Sequence, residues 1–215
     1  WLKELLNTLL LDQNQRNVQV CIRKERINRK NVTIKSTTVK VDSIFTNLVA
    51  SKKLDLSKIK IVANDFKKTF ESNVLTTMNT ETLFDKKSIN YLNITLTEML
   101  SYVLKPYCKN FVFNVEGIWV NKYEDNDYQG MHIHPSDFSF IIYYEGNSNT
   151  VFNSPVKNAL EAYGSEIFDR SFEPKFTKGD IFLFPSYLEH WVKPNSGNTT
   201  ISGNIKIIEL IKGKE

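Results

Sequence analysis

The carboxy-terminal half of the chain is a series of short strand-like runs separated by turn residues, and this pattern limits the fold more than any other feature. β-Branched and aromatic residues dominate the runs, with Gly, Pro, Asn and Ser between them. The runs cover residues 111–115, 118–120, 138–144, 150–153, 180–184, 190–192 and 201–210. Short strands without intervening helices are typical of a sandwich or a barrel. The sequence therefore predicts a mainly β fold after Cys108.

The amino-terminal half shows helical periodicity and a polar hairpin signal instead. Residues 1–11 carry a leucine stripe that predicts a helix, and β-branched alternation over 18–41 predicts strands around a turn near 28–31. A further amphipathic helix is predicted over 88–107, and its apolar positions are Ile89, Leu92, Leu96, Met99, Leu100, Val103 and Leu104. We therefore expect residues 1–108 to form an α/β extension with supporting helices, and residues 109–215 to form the β core.

The formal net charge of +4 originates in one segment. Residues 16–40 hold eight basic side chains against Glu25, a net of +7, so the rest of the chain carries −3. A general affinity for nucleic acid is therefore disfavoured. Two interpretations of 16–40 stay open: a contact with a polyanion or a protein, and an ordinary solvated surface.

Two features of the sequence bear on the cellular context. No apolar run approaches the roughly 20 residues that span a bilayer, so no membrane partner is expected. Cys21 and Cys108 match neither a disulfide framework nor a zinc-finger spacing. Reduced thiols and a cytoplasmic location are the resulting expectation.

All three histidines of the chain lie within the predicted β core. His132 and His134 are two residues apart, so on an extended strand they point to the same side. His190 follows on a distant strand, and three ligands on one face of a metal leave the opposite positions open, as non-heme Fe(II) requires. Ordinary packing histidines remain the alternative. A zinc hydrolase site is disfavoured, because its motif would need an acid at Ser136 and a histidine at Asp137.

The residues around these histidines resemble a known family. In chain order the matching segments are GIWVNKY from Gly117, HIHPS from His132, FIIYY from Phe140, FNSP from Phe152, GDIFLFPSYLEHWVKPN from Gly179 and ISGNI from Ile201. They are similar to the 2-oxoglutarate/Fe(II)-dependent oxygenase superfamily, in particular to oxygenases of marine bacteria and their phages. The resemblance runs from Gly117 to about Leu210, and the preceding residues match only loosely.

The resemblance implies a double-stranded β-helix, a jelly-roll or cupin-like barrel with iron at its open mouth. It also implies Fe(II) and the cosubstrate 2-oxoglutarate, with ascorbate as a candidate reductant. Carried over by position, His132 is the first metal ligand and His190 the distal one. His134 stands where the superfamily usually has a carboxylate. Either His134 completes a three-histidine site, which we favour, or it orients the site from outside and Asp137 supplies the carboxylate.

The cosubstrate positions depart further from the family pattern. About ten residues after the distal histidine the superfamily usually has an arginine that binds the far carboxylate of 2-oxoglutarate, followed by a serine. Thr200 occupies the arginine position and Ser202 keeps the serine. Lys206 has the same strand parity but lies too far along the chain to substitute. Tyr144 matches a tyrosine that contacts this carboxylate in related hydroxylases. Packing within the barrel is the alternative for both Tyr143 and Tyr144.

These features predict an Fe(II)/2-oxoglutarate-dependent dioxygenase, most simply a hydroxylase that couples decarboxylation of 2-oxoglutarate to succinate with oxidation of a substrate. The catalytic and metal-binding residues are predicted to be His132, His134 and His190, and the cosubstrate residues Tyr144, Thr200 and Ser202. Two alternatives stay open: a three-histidine cupin-like dioxygenase without 2-oxoglutarate, and a non-catalytic barrel in a larger assembly. Candidate substrates are a protein side chain, a small molecule and a nucleic acid base.

Overall fold

The computed structural model describes residues 17–18, 39–40, 47–68, 74–78, 83–164, 166 and 168–212. The chain divides into two compact units, Trp1–Thr46 and Asn47–Glu215. In the first unit the described residues are two short strands that pair antiparallel. The second unit contains all the elements discussed below. The predicted division into 1–108 and 109–215 stays a prediction.

Within the described residues the chain forms thirteen strands and two α-helices. The strands are β1 (Asn17–Val18), β2 (Val39–Lys40), β3 (Ala50–Lys53), β4 (Lys67–Lys68), β5 (Leu75–Thr76), β6 (Asn110–Lys122), β7 (Asp127–His132), β8 (Phe138–Glu145), β9 (Thr150–Asn153), β10 (Ser171–Phe172), β11 (Asp180–Pro185), β12 (His190–Asn195) and β13 (Thr199–Ile211). The helices are α1 (Lys86–Leu104) and α2 (Lys157–Ala162). A short 3-10 turn covers Leu56–Lys58.

The second unit is built from two antiparallel sheets. The major sheet has the order β3-β11-β8-β13-β6-β5-β4, and the minor sheet has the order β10-β9-β12-β7. From β6 to β9 the chain alternates between the sheets, and it does so again from β10 to β13. Strands that alternate between two facing antiparallel sheets form a jelly roll, here a double-stranded β-helix. This confirms the predicted fold class.

Helix α1 covers the outer face of the major sheet. It begins at Asp85, whose carboxylate accepts hydrogen bonds from the Ser88 backbone N–H at 2.8 Å and hydroxyl at 2.7 Å. The buried side chains of the helix, spaced three and four residues apart, are Ser88, Leu92, Thr95, Leu96, Met99, Leu100, Val103 and Leu104. The predicted helix is confirmed, except that Ile89 is exposed rather than on the packed face.

The two faces of the major sheet serve different layers. On β8, Phe140 and Ile142 pack with α1, whereas Ile141 and Tyr143 point between the two sheets. This alternation follows the two-residue period of a strand. On β13, Ile201 and Ile205 likewise join the α1 layer. The even and odd positions of one strand thus belong to separate cores.

Several strand predictions need correction or extension. Gly117 does not interrupt the strand, because β6 runs continuously through it. The ladder with β13 instead shows a register shift here, opposite Asn204 and Ile205. Strand β7 has no run of apolar residues and is absent from the sequence prediction. The pairing of β1 with β2 agrees with the predicted hairpin strands. The predicted helix over 1–11, the turn at 28–31 and nearly all of the basic segment 16–40 lie outside the described residues.

A search for membrane-spanning segments in the described part of the chain finds no helix that is both long and apolar enough to cross a bilayer.

Candidate metal centre

The three histidines meet at one end of the minor sheet. His132 is the last residue of β7 and His190 the first of β12, and the two are direct partners across the ladder. His134 lies two residues beyond the end of β7, not on the strand itself. One ligand atom from each of the three rings lies within 4.8 Å of the others. In the described residues this is the sole cluster of three or more such side chains with metal-binding spacing.

Hydrogen bonds orient two of the rings. The Nδ1 atom of His132 lies 2.7 Å from the Gly130 carbonyl oxygen, and Nδ1 of His190 lies 2.9 Å from that of Leu188. A carbonyl oxygen only accepts, so Nδ1 carries a proton in both rings, which makes Nε2 the nitrogen available to a metal. A backbone carbonyl on the other nitrogen is the usual support of a metal-bound histidine. The donor set therefore fits a divalent metal ion.

The electrostatic surroundings keep two of the imidazoles neutral. Burial, reinforced by the neighbouring His132, lowers the pKa of His190 to about 3. Burial and His132 also lower the pKa of His134 to about 4. Metal ions bind neutral imidazole, so at physiological pH neither of these two rings has to lose a proton before coordination.

Ser186 joins the segments that carry His134 and His190. Its backbone carbonyl accepts a hydrogen bond from the His134 N–H at 3.0 Å, and its own N–H donates to the Asp137 carbonyl at 3.1 Å. Its buried hydroxyl lies 2.7 Å from that of Ser139, which donates to the Asn204 side-chain oxygen at 3.0 Å. This network holds the loop after β7 against the end of β11.

A cavity of about 490 Å³ opens beside the histidines, between the two sheets. Trp119 lines it and its ring centroid lies 5.6 Å from that of His134. Asn121 on the same face of β6 and Tyr123, one residue beyond the end of the strand, also line the cavity, and the Tyr123 hydroxyl donates to Gln129 at 2.6 Å. Most of the lining is apolar or uncharged polar. The site thus combines a metal-binding cluster with a partly enclosed pocket, as ligand sites generally do.

Asp137, the alternative metal ligand, is engaged elsewhere. Its carboxylate accepts a hydrogen bond from the Ile207 backbone N–H at 2.7 Å and pairs with Lys206 at 3.1 Å. Both contacts tie the start of β8 to β13. Lys206, in turn, is directed to this carboxylate, and it does not line the cavity.

The structure separates the two tyrosines at the end of β8. Tyr143 is buried and lines the cavity, whereas the Tyr144 hydroxyl donates to the Ile59 carbonyl at 3.3 Å in the α1 layer. Thr200 and Ser202 both line the cavity, as a cosubstrate role requires. Of the four positions considered, the structure therefore brings Tyr143, Thr200 and Ser202 together with the histidines, and it does not bring Tyr144.

Tyr123 and Gln129 are among the cavity residues that the sequence prediction did not single out. Tyr123 continues the odd-numbered face of β6 that also presents Trp119 and Asn121, so strand parity was an available signal. Gln129 lies on β7, which no apolar pattern marks.

Comparisons with known proteins agree with this site. A sequence model of the family described as "Putative 2OG-Fe(II) oxygenase" matches residues 117–202. A search of curated protein sequences finds no match.

Solved structures with related folds include several oxygenases, at low identity. An oxidoreductase of the 2OG-Fe(II) oxygenase family from Burkholderia pseudomallei is 11% identical over 70% of this chain and 76% of its own, with a TM-score of 0.48. A Pseudomonas putida prolyl-4-hydroxylase is 10% identical over 78% and 95% (TM-score 0.46). HygX from Streptomyces hygroscopicus, with nickel, 2-oxoglutarate and hygromycin B bound, is 8% identical over 79% and 85% (TM-score 0.47).

The matched segment 117–202 contains His132, His134, His190, Thr200 and Ser202. The segment of the chain that holds the histidine cluster is therefore similar to the 2-oxoglutarate/Fe(II)-dependent oxygenase family.

Proposed function

We propose that this chain is an Fe(II)/2-oxoglutarate-dependent hydroxylase whose iron is held by His132, His134 and His190. The observation that supports this most directly is the convergence of the three rings beside the cavity, with ligand atoms within 4.8 Å of one another. Bound iron with 2-oxoglutarate supplies the oxidising chemistry, in which dioxygen is reduced, 2-oxoglutarate is decarboxylated to succinate and a substrate C–H bond is hydroxylated.

The side chains of the chain perform the binding and orientation. The carbonyls of Gly130 and Leu188 hold the rings of His132 and His190 in one tautomer. Trp119 lies beside His134 and supplies an apolar wall of the cavity next to the proposed metal site. The candidate substrates are a protein side chain, a small molecule and a nucleic acid base.

His134 completes the proposed metal site in preference to Asp137. His134 presents its ring to the other two histidines, whereas the Asp137 carboxylate already accepts a backbone hydrogen bond and an ion pair. Three imidazoles leave the metal its full charge of about +2, which favours a dianionic cosubstrate.

The test is anaerobic addition of Fe(II) and 2-oxoglutarate to the purified protein, followed by visible absorption. We expect a weak charge-transfer band in the wild type, its loss in His132→Ala and His190→Ala, and stoichiometric succinate after oxygen is admitted. Absence of the band from folded, iron-loaded protein would overturn the proposal. Oxygen consumption at the same rate with and without 2-oxoglutarate would indicate a three-histidine cupin-like dioxygenase instead.

A matched pair of variants tests the third ligand. His134→Ala should reduce Fe(II) affinity by at least about tenfold, because a ligand is lost. Asp137→Asn should keep the affinity, with circular dichroism confirming the fold. The opposite ranking would assign the site to Asp137.

A further inference from the structure

A row of polar side chains crosses the inner wall of the cavity. Thr200 on β13 is the direct ladder partner of Tyr143 on β8 and of Asn121 on β6. The neighbouring row, two residues along β13, contains Ser202 and Trp119, and Trp119 is the residue beside His134. The Thr200 row is therefore displaced by about 7 Å along the strands from the row that adjoins the metal cluster.

Apart from the three histidines, no acidic or basic side chain among the described residues lines the cavity. The lysines of the adjoining strands have other partners. Lys206 pairs with Asp137 and Lys193 pairs with Glu173 at 2.6 Å. Lys122, next to Asn121, lies over the Phe66 ring at 4.1 Å from its centroid. Among the described residues, a carboxylate that enters the cavity from the metal side thus meets hydroxyl and amide groups rather than a cation.

Among the hydroxyls of this region, that of Thr200 has no acceptor, whereas those of Tyr123 and Tyr143 already donate to Gln129 and Thr150. The Thr200 hydroxyl oxygen is buried and completes no hydrogen bond of normal geometry, although it lies beside Tyr123. The Tyr143 hydroxyl donates to Thr150 at 3.2 Å and accepts from Ser148 at 3.1 Å. Burial raises the pKa of both Tyr123 and Tyr143, so both phenols keep their protons. An unpartnered buried hydroxyl carries a free-energy cost that a ligand acceptor would relieve.

We propose that this uncharged row, with Thr200 as the free hydroxyl and Tyr143 and Tyr123 beside it, receives the far end of the 2-oxo acid, and that the site consequently discriminates weakly between 2-oxo acids with charged and with neutral ends. The inference rests on the proposed function. A carboxylate that leaves water without meeting a cation loses hydration that hydroxyl donors only partly replace. The far carboxylate therefore contributes little net affinity in this cavity.

The test compares two ligands of equal chain length, 2-oxoglutarate and 2-oxopentanoate, which ends in a methyl group. Each is titrated calorimetrically into Fe(II)-loaded protein without oxygen. We expect the two dissociation constants to differ by less than about 30-fold, a gap that hydroxyl donors alone can produce. A larger preference for 2-oxoglutarate would overturn the inference, because it would require a cation at the far carboxylate. Failure of both acids to bind in a metal-dependent manner would instead count against the proposed function.

Variants locate the effect. Thr200→Arg supplies the missing cation and should increase the preference for 2-oxoglutarate at least about tenfold, with binding of 2-oxopentanoate nearly unchanged. Tyr143→Phe should weaken 2-oxoglutarate a few-fold, whereas Tyr144→Phe, one residue away on the other face, should have no effect. Equal losses in the two phenylalanine variants would contradict the assigned row. If Thr200→Arg does not fold, the ratio in the wild type and the tyrosine pair still decide the question.

Discussion

The two faces of the major sheet differ in what they contact and in what they tolerate. The face toward α1 is a continuous apolar layer, in which Phe140, Ile142 and Ile201 are completely buried. The face toward the minor sheet carries Trp119, Ser202 and the hydroxyl row, and it borders an open cavity. Adjacent residues of one strand therefore have different roles: one packs in the α1 layer and the next faces the cavity. Stability and ligand binding should be separable by residue parity.

The largest difference between the two faces is expected for substitutions at two neighbouring residues of β13. Ile201→Ala removes a fully buried side chain from the α1 layer and should lower the free energy of unfolding by about 2–5 kcal/mol. Ser202→Ala, on the cavity face, should cost less than about 1 kcal/mol. Chemical denaturation of both variants measures the difference. Similar costs at the two positions would show that the faces are not independent.

A second prediction concerns pH and the cavity face of the metal-free protein. His190 has a folded-state pKa of about 3, well below the usual value of about 6.5. Above pH 6.5 both states are neutral and no cost arises. As the pH falls from about 6.5 toward 3, His190 is protonated in the unfolded chain but stays neutral in the folded chain, so the free energy of unfolding decreases. At pH 5 the loss from His190 alone is about 2 kcal/mol.

Denaturation curves at pH 7 and pH 5 measure this loss, and His190→Gln provides the control. The glutamine variant should lose less stability between the two pH values than the wild type. An equal loss in both proteins would mean that His190 does not titrate as its burial implies. Saturating divalent metal should raise the stability at both pH values and leave the pH dependence in place, because coordination stabilises the folded state without changing the proton uptake of the unfolded chain.

The Asp137–Lys206 pair allows a smaller test, at the rim between the two layers. Both side chains are more than one-third exposed, so solvent screens the ion pair. Lys206→Met should lower the free energy of unfolding by less than about 1 kcal/mol and leave metal affinity unchanged. Equilibrium denaturation and an Fe(II) titration check the two parts. Loss of Fe(II) binding in Lys206→Met would indicate that Asp137 contributes to the metal site.

The smallest expected effect lies at the far side of the α1 layer, at the helix start. Hydrogen bonds from the Ser88 hydroxyl and backbone N–H hold the pKa of Asp85 below its usual value. Its contribution to stability is therefore present above pH about 4 and is lost as the pH falls through the lowered pKa. Asp85→Ala should lower the melting temperature slightly at pH 7 and not at pH 2.5. A pH-independent difference would point to lost packing instead.

Much of this architecture follows from local sequence signals. The period of helix α1 and the turn-bounded strands predicted both layers, and the spacing of His132, His134 and His190 predicted a cluster. These features depend on local periodicity and on side-chain chemistry that the sequence displays directly. Strand β7 was missed because Asp127, Gln129 and Gly130 give it neither apolar alternation nor high strand propensity.

The choice between Tyr143 and Tyr144 could not be made from sequence, for a physical reason. Six consecutive residues of β8, from Phe138 to Tyr143, are buried, so the strand shows no polar and apolar alternation that would reveal its inward face. The resemblance to related hydroxylases indicated Tyr144, which contacts the α1 layer. Likewise, the fate of the Asp137 carboxylate depends on a backbone N–H of β13 that is 70 residues away. Such pairings are products of topology.

The hydrogen bond from His190 to the Leu188 carbonyl also bears on the proton balance of metal uptake. The His190 ring is neutral above pH about 3 and holds its proton on Nδ1, so coordination at Nε2 displaces no proton from it and requires no tautomer exchange. Sites built from thiols must expel protons into the solvent as they fill. A buried imidazole that is already neutral instead takes up metal at neutral pH without releasing a proton to its surroundings.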